Sequence, residues 1–105
     1  MAEINWTDQA LQDIDNIAEF ISKDSLKYAK IQTQLFFERV ESLCTQPVLG
    51  RVVPELQKKK IRELILGNYR IVYRMISLKR INILTIHHSR RLLRNNPNIK
   101  KYKSR

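Results

Sequence analysis

The chain has 105 residues, 43% of them hydrophobic and 8% aromatic, which excludes wholesale disorder and leaves room for one small domain with one core. Its net charge of +10 calls for an acidic partner, either nucleic acid or an acidic protein segment. No apolar run approaches the roughly 20 residues of a membrane span, and the N-terminus MAEINWTDQA lacks the basic and apolar regions of a signal peptide.

The lone Cys44 cannot form an internal disulfide, so a cytoplasmic, reducing setting is expected. The charge is unevenly spread. Residues 1–46 carry eight acids and four bases, a net of −4. Residues 47–105 carry sixteen bases and only two acids, Glu55 and Glu63, a net of +14.

In chain order, the alternation of Glu3-Ile4-Asn5-Trp6 predicts a short strand. Thr7 is placed to cap a helix, with Asp8 favouring its positive end. Leu11, Ile14, Ile17, Ala18 and Ile21 then recur at helical spacing. Asp24 or Ser25 caps a second helix carrying Ala29, Ile31, Leu35, Phe36, Val40 and Leu43, which must end before Pro47. Gln46 to Glu55 reads as a loop or an irregular edge.

After Lys58-Lys59-Lys60 the period falls to two. Ile61–Leu66, Tyr69–Ile76 and Arg80–His87 are expected as strands, joined by turns at Gly67-Asn68 and Ser77–Lys79. The stretch SRRLLRN, starting at Ser89, can begin a short helix that Pro97 stops. The expected fold is α+β: an N-terminal strand, a helical hairpin and a three-stranded antiparallel meander in one sheet. The helices cover one face and the other is left open. Residues 1–96 form the domain, and 97–105 a basic, mobile tail.

Strand alternation aims charges out of this sheet. Tyr69, Ile71, Tyr73 and Met75 share one face, with Arg70, Val72, Arg74 and Ile76 on the other. In the last strand Ile81, Ile83, Thr85 and His87 oppose Asn82, Leu84, Ile86 and His88. Glu63 has two readings. It can pair with Arg70, Arg74 or a lysine, or act as a general base on a ribose hydroxyl, with arginine stabilising the phosphorane and histidine protonating the leaving oxygen. Adjacent His87 and His88 turn to opposite sides, so one is structural and the other can face a site. With one cysteine and no spaced ligand set, neither a metal nor a cofactor is expected.

The sequences IREL, GNYRIVYR and ILTIHHSRR, preceded by PVLGRVVPE, resemble the RelE/ParE toxins of bacterial type II toxin–antitoxin systems. So do the opening W-T-x-x-A and I-x-x-I-A-E-F-I. The likeness runs from about Ile4 to Leu93. The helical run L-x-x-I-x-x-I-A-E-F-I and the H-x-x-R ending at Arg91 are closer to the ParE-like branch. The resemblance implies a toxin held by a cognate antitoxin and acting on DNA gyrase. The RelE-like alternative is ribosome-dependent mRNA cleavage, with Glu63, Arg70 and His88 as its catalytic set. Lys60, Arg62, Tyr69, Arg74 and Arg91 are the expected target-binding residues. A non-toxic nucleic-acid-binding module is the remaining alternative.

Overall fold

A computed structural model describes residues 1–91 and 93–102. Strand β1 (Glu3–Trp6) leads into helices α1 (Asp8–Ser22) and α2 (Leu26–Glu41). Strands β2 (Arg51–Val52), β3 (Ile61–Leu66), β4 (Tyr69–Ser77) and β5 (Arg80–His88) follow, and α3 (Pro97–Lys100) ends the described chain. The five strands form one sheet in the order β1-β5-β4-β3-β2. All contacts are antiparallel except β1 on β5, where Glu3 to Trp6 lie beside Arg80 to Ile83 in parallel.

Both helix starts follow from side-chain caps. Thr7 Oγ1 accepts from the Ala10 amide at 3.2 Å, and it also donates to the Ile83 carbonyl at 2.6 Å. One hydroxyl thus takes up one of the free first-turn amides of α1 and ties that helix to β5. Ser25 accepts from the Tyr28 amide in the same way at 3.2 Å. The β3–β4 turn has a positive φ of 58° at Gly67 and none at Asn68, the requirement of a type II′ hairpin turn.

The main core lies between the helices and the sheet. Ala10, Ile14, Phe36, Val40 and Leu43 pack on Leu64, Ile71, Tyr73, Met75, Ile81, Ile83 and Ile86. Phe36 is fully buried. Trp6 is only half-buried, its ring 4.8 Å from that of the exposed Phe37. Tyr73 spans the core to a loop: its hydroxyl accepts from the Gly50 amide and donates to the Pro47 carbonyl, both at 2.9 Å. Gly50 must stay a glycine there, because a Cβ would lie 2.5 Å from the Glu63 carbonyl oxygen and 2.7 Å from the Tyr73 hydroxyl.

Four sequence expectations need correction. The irregular segment after Gln46 contributes a fifth strand, β2, because Arg51 and Val52 pair with Glu63 and Arg62. The alternation in β5 breaks at Leu84: Tyr73 pairs with Ile83 and Val72 with Thr85, leaving Leu84 unpaired. This bulge puts both Ile83 and Ile86 in the helix-side core.

The sheet face opposite the helices is not open. Val53, Leu56, Ile61, Val72, Leu84, Leu93 and Ile99 form a second core there, flanked by Tyr102. Finally, Pro97 starts a helix rather than stopping one. Its missing N–H is harmless at the first helical position, and Asn96 caps the turn by accepting from the Asn98 amide at 2.9 Å. The stretch expected as a helix before it is a turn with a 3-10 element at Leu93–Asn95, and its Leu92 lies outside the described residues. The segment expected as a mobile tail is therefore folded back over Pro97–Tyr102, with Ile99 fully buried. Residues 103–105 lie outside the described residues.

Candidate functional site

Glu63 sits near the middle of β3 and is 1% exposed. An isolated buried carboxylate is costly, and two arginines compensate this one. Arg51, its cross-strand neighbour, donates Nε to Oε2 at 2.6 Å. Arg70, diagonal on β4, donates Nε to Oε1 at 2.5 Å. Arg70 then holds Glu55 with both terminal nitrogens, each at 2.7 Å. These hydrogen bonds from Arg70 lower the Glu55 pKa, and the same contact with Glu55 is the main cause raising that of Arg70. Both oxygens of Glu63 are thus engaged by structural cations. The pairing of Glu63 with Arg70 is the first of the two sequence readings.

His88 is on the other side of the sheet. It pairs with Tyr69 across β4 and β5, their rings 5.3 Å apart and edge-on, and Tyr69 meets Phe36 in the same way at 5.2 Å. Burial raises the Tyr69 pKa. The Nδ1 of His88 accepts from the Arg90 amide at 3.1 Å. Arg70 and Glu63 therefore meet, but His88 does not join them. His87 is the structural member of the pair. It is buried, and its ring nitrogens bond the Arg91 carbonyl at 2.9 Å and the Asn96 amide group at 3.0 Å.

The expected target-binding residues fall into three places. Tyr69 and Arg91, together with His88 and Arg90, line an open cleft against Gln9, Asn16 and Phe20 of α1. Arg62 is taken up at the β2 edge, donating to the carbonyls of Lys59 at 3.1 Å and Gly50 at 3.0 Å. Arg74 lies at the far end of β4 with its guanidinium 5.8 Å from the Tyr102 ring. Lys60 is exposed beside it, its carbonyl accepting from the Met75 amide at 2.7 Å.

Sequence reasoning missed three participants. Arg51 and Glu55 complete the Glu63 network. Glu55 was one of only two acids in the basic half, and that scarcity was the available signal. Asp13 of α1 accepts from the Thr85 hydroxyl and, at 3.0 Å, from the Ile86 amide, closing the edge of β5 where β1 no longer reaches. No local pattern marks that role.

Among the described residues no helix is long and apolar enough to cross a membrane. The family described as "ParE toxin of type II toxin-antitoxin system, parDE" matches residues 4–93. The chain belongs to this family and is a toxin of a type II toxin–antitoxin system. A solved structure described as "Chromosomal ParDE TA system from P. aeruginosa" contains a chain that is 25% identical with a TM-score of 0.69, covering 84% of this chain and 96% of that one. No curated protein matches.

Proposed function

We propose that this toxin arrests growth by acting on DNA gyrase and that a cognate antitoxin restrains it. The carrying observation is the separation of His88 from the Glu63–Arg70 pair by the thickness of the sheet. Acid–base cleavage of RNA needs base, cation and acid around one phosphate. Here the candidate base is saturated by two arginines, and the candidate acid faces the α1 cleft. Family membership over residues 4–93 supports the same branch. The cleft bearing Tyr69, His88, Arg90 and Arg91 is the surface offered to the target.

The antitoxin is assigned to the helical hairpin. Ile31 and Leu35, which the helical period marked as core, are instead exposed, as are Phe20, Leu26, Tyr28 and Phe37. A groove between the helices, floored by Ala18 and Ala29, runs past Leu26. Exposed apolar surface of this extent calls for a partner, and an antitoxin segment that folds on binding would cover it.

Two assays on the purified protein test the reading. Gyrase supercoiling is expected to be inhibited, while primer extension on translated mRNA finds no new ends. Cleavage within ribosome-bound mRNA, with supercoiling untouched, would replace gyrase by the ribosome as target.

A further inference from the structure

The family match ends at residue 93, yet the chain goes on to build α3 and to set Tyr102 against the second core. That extension creates a charge arrangement that the fold itself does not need. The Tyr102 ring has the Arg74 guanidinium at 5.8 Å and the Lys101 ammonium at 5.2 Å. One aromatic ring thereby gathers two cations from different elements. Lys60, next to the β4 end that carries Arg74, and Lys100, next to Lys101, are also exposed. Among the described residues, Glu55 and Glu63 are the only carboxylates in ion pairs, Glu63 with Arg51 and Arg70 and Glu55 with Arg70. Neither Arg74 nor Lys101 is in an ion pair among the described residues, which leaves both cations beside the ring able to meet an external anion.

We infer that Arg74, Lys101 and Tyr102, flanked by Lys60 and Lys100, form a docking surface for the phosphate backbone of duplex DNA. The choice of DNA rests on the gyrase reading above, since gyrase holds a duplex while it acts. The surface itself favours a polyanion over an acidic peptide. A peptide that docks on a fold usually needs apolar anchors, whereas the second-core side chains Ile61, Val72 and Ile99 beneath this patch are already buried. What remains outside is charge and one ring, which suits regularly spaced phosphates without regard to sequence. The patch lies about 17 Å along β4 from Tyr69, counting five residues at strand rise. Arg74 thus stands well away from Tyr69, while the cleft's lining runs on to Asn98 in α3, two residues before Lys100.

The experiment measures anisotropy of a short fluorescent duplex with the full chain and no gyrase present. With about four phosphates engaged, affinity is expected to fall roughly 100-fold between about 50 and 200 mM salt. The double variant Arg74→Gln/Lys101→Gln alters two exposed side chains, so its thermal midpoint should match the wild type. Its log–log salt slope should be shallower by about two units. An unchanged slope overturns the proposal. So does displacement of the duplex by polyglutamate of equal charge, which would assign the patch to an acidic protein segment. Supercoiling measured in parallel keeps the two readings apart. A wild-type chain that inhibits gyrase without binding the duplex defeats the DNA surface alone, and one that binds the duplex but spares gyrase defeats the target alone.

Discussion

Arg70 reaches from β4 to Glu63 on β3, Nε to Oε1 at 2.5 Å, and shields from water a carboxylate whose side chain has no exposed surface. The Arg70 side chain is itself only 11% exposed. Arg51, on the other oxygen, is 60% exposed. The two arginines are thus unequal supports for one buried charge.

Removing the buried support leaves Glu63 poorly compensated. Arg70→Gln is expected to cost about 3–5 kcal/mol, the range for breaking one side of a buried pair. Arg51→Gln, at an exposed position, should cost clearly less. Urea denaturation of both variants gives the comparison, and equal losses would mean that Arg70 has no special hold on the site. The distinction matters for toxicity assays: an inactive Arg70 variant must be shown to be folded before its loss is read as loss of target contact.

The same network predicts an acid limb in stability. Arg70 holds the Glu55 pKa below its ordinary value of 4.5. The unfolded chain therefore binds a proton at a pH where the folded one does not. The contribution is fully present above pH 4.5 and is lost as pH falls through the lower, folded value. Thermal midpoints followed from neutral pH downward should show this decline, and Glu55→Gln should flatten it. A limb of the same steepness in that variant would move the effect to another carboxylate.

The two histidines should separate by phenotype. His87→Ala removes partners from the Arg91 carbonyl and the Asn96 amide group, at a cost of about 1–3 kcal/mol for groups left buried. Ile99→Ala, in the folded-back segment Pro97–Tyr102, should cost about 2–5 kcal/mol. His88→Ala, at a half-exposed cleft position, should stay within about 0.5 kcal/mol. Chemical denaturation ranks the three, and a His88 variant as unstable as the His87 one would contradict the division into structural and cleft-facing rings.

What the sequence made legible is what depends on neighbours in the chain. Thr7 and Ser25 cap as expected because a cap needs only the amide three residues ahead. The period of two located β3 and β4 by residue type, although both of their faces are covered and Ile71, Val72 and Tyr73 are buried in succession. The failures come from contacts distant in sequence. Pro97 ends one helix or begins another with equal ease, and what decides is whether Ile99 finds Val72 and Leu84. The bulge at Leu84 cannot be foreseen from alternation, since it answers to the strand opposite. The site suffered in the same way. Strand alternation separated His87 from His88 but left open which of them shares a face with Glu63 and Arg70, because the one-residue bulge at Leu84 sets it.

The parallel pairing of β1 with β5 has a consequence for synthesis. Glu3 to Trp6 have no strand partner until Arg80 to Ile83 exist, and the Thr7 hydroxyl has no carbonyl to bind until Ile83 does. During translation the hairpin of α1 and α2 emerges early, but the sheet beneath it cannot close. The apolar face of that hairpin is thus available to an already folded or waiting partner before the toxin has a complete sheet. A ribosome that stops short of Arg80 releases a chain with neither the α1 cleft nor the folded-back segment Pro97–Tyr102. The fold postpones the harmful state to the last quarter of the message.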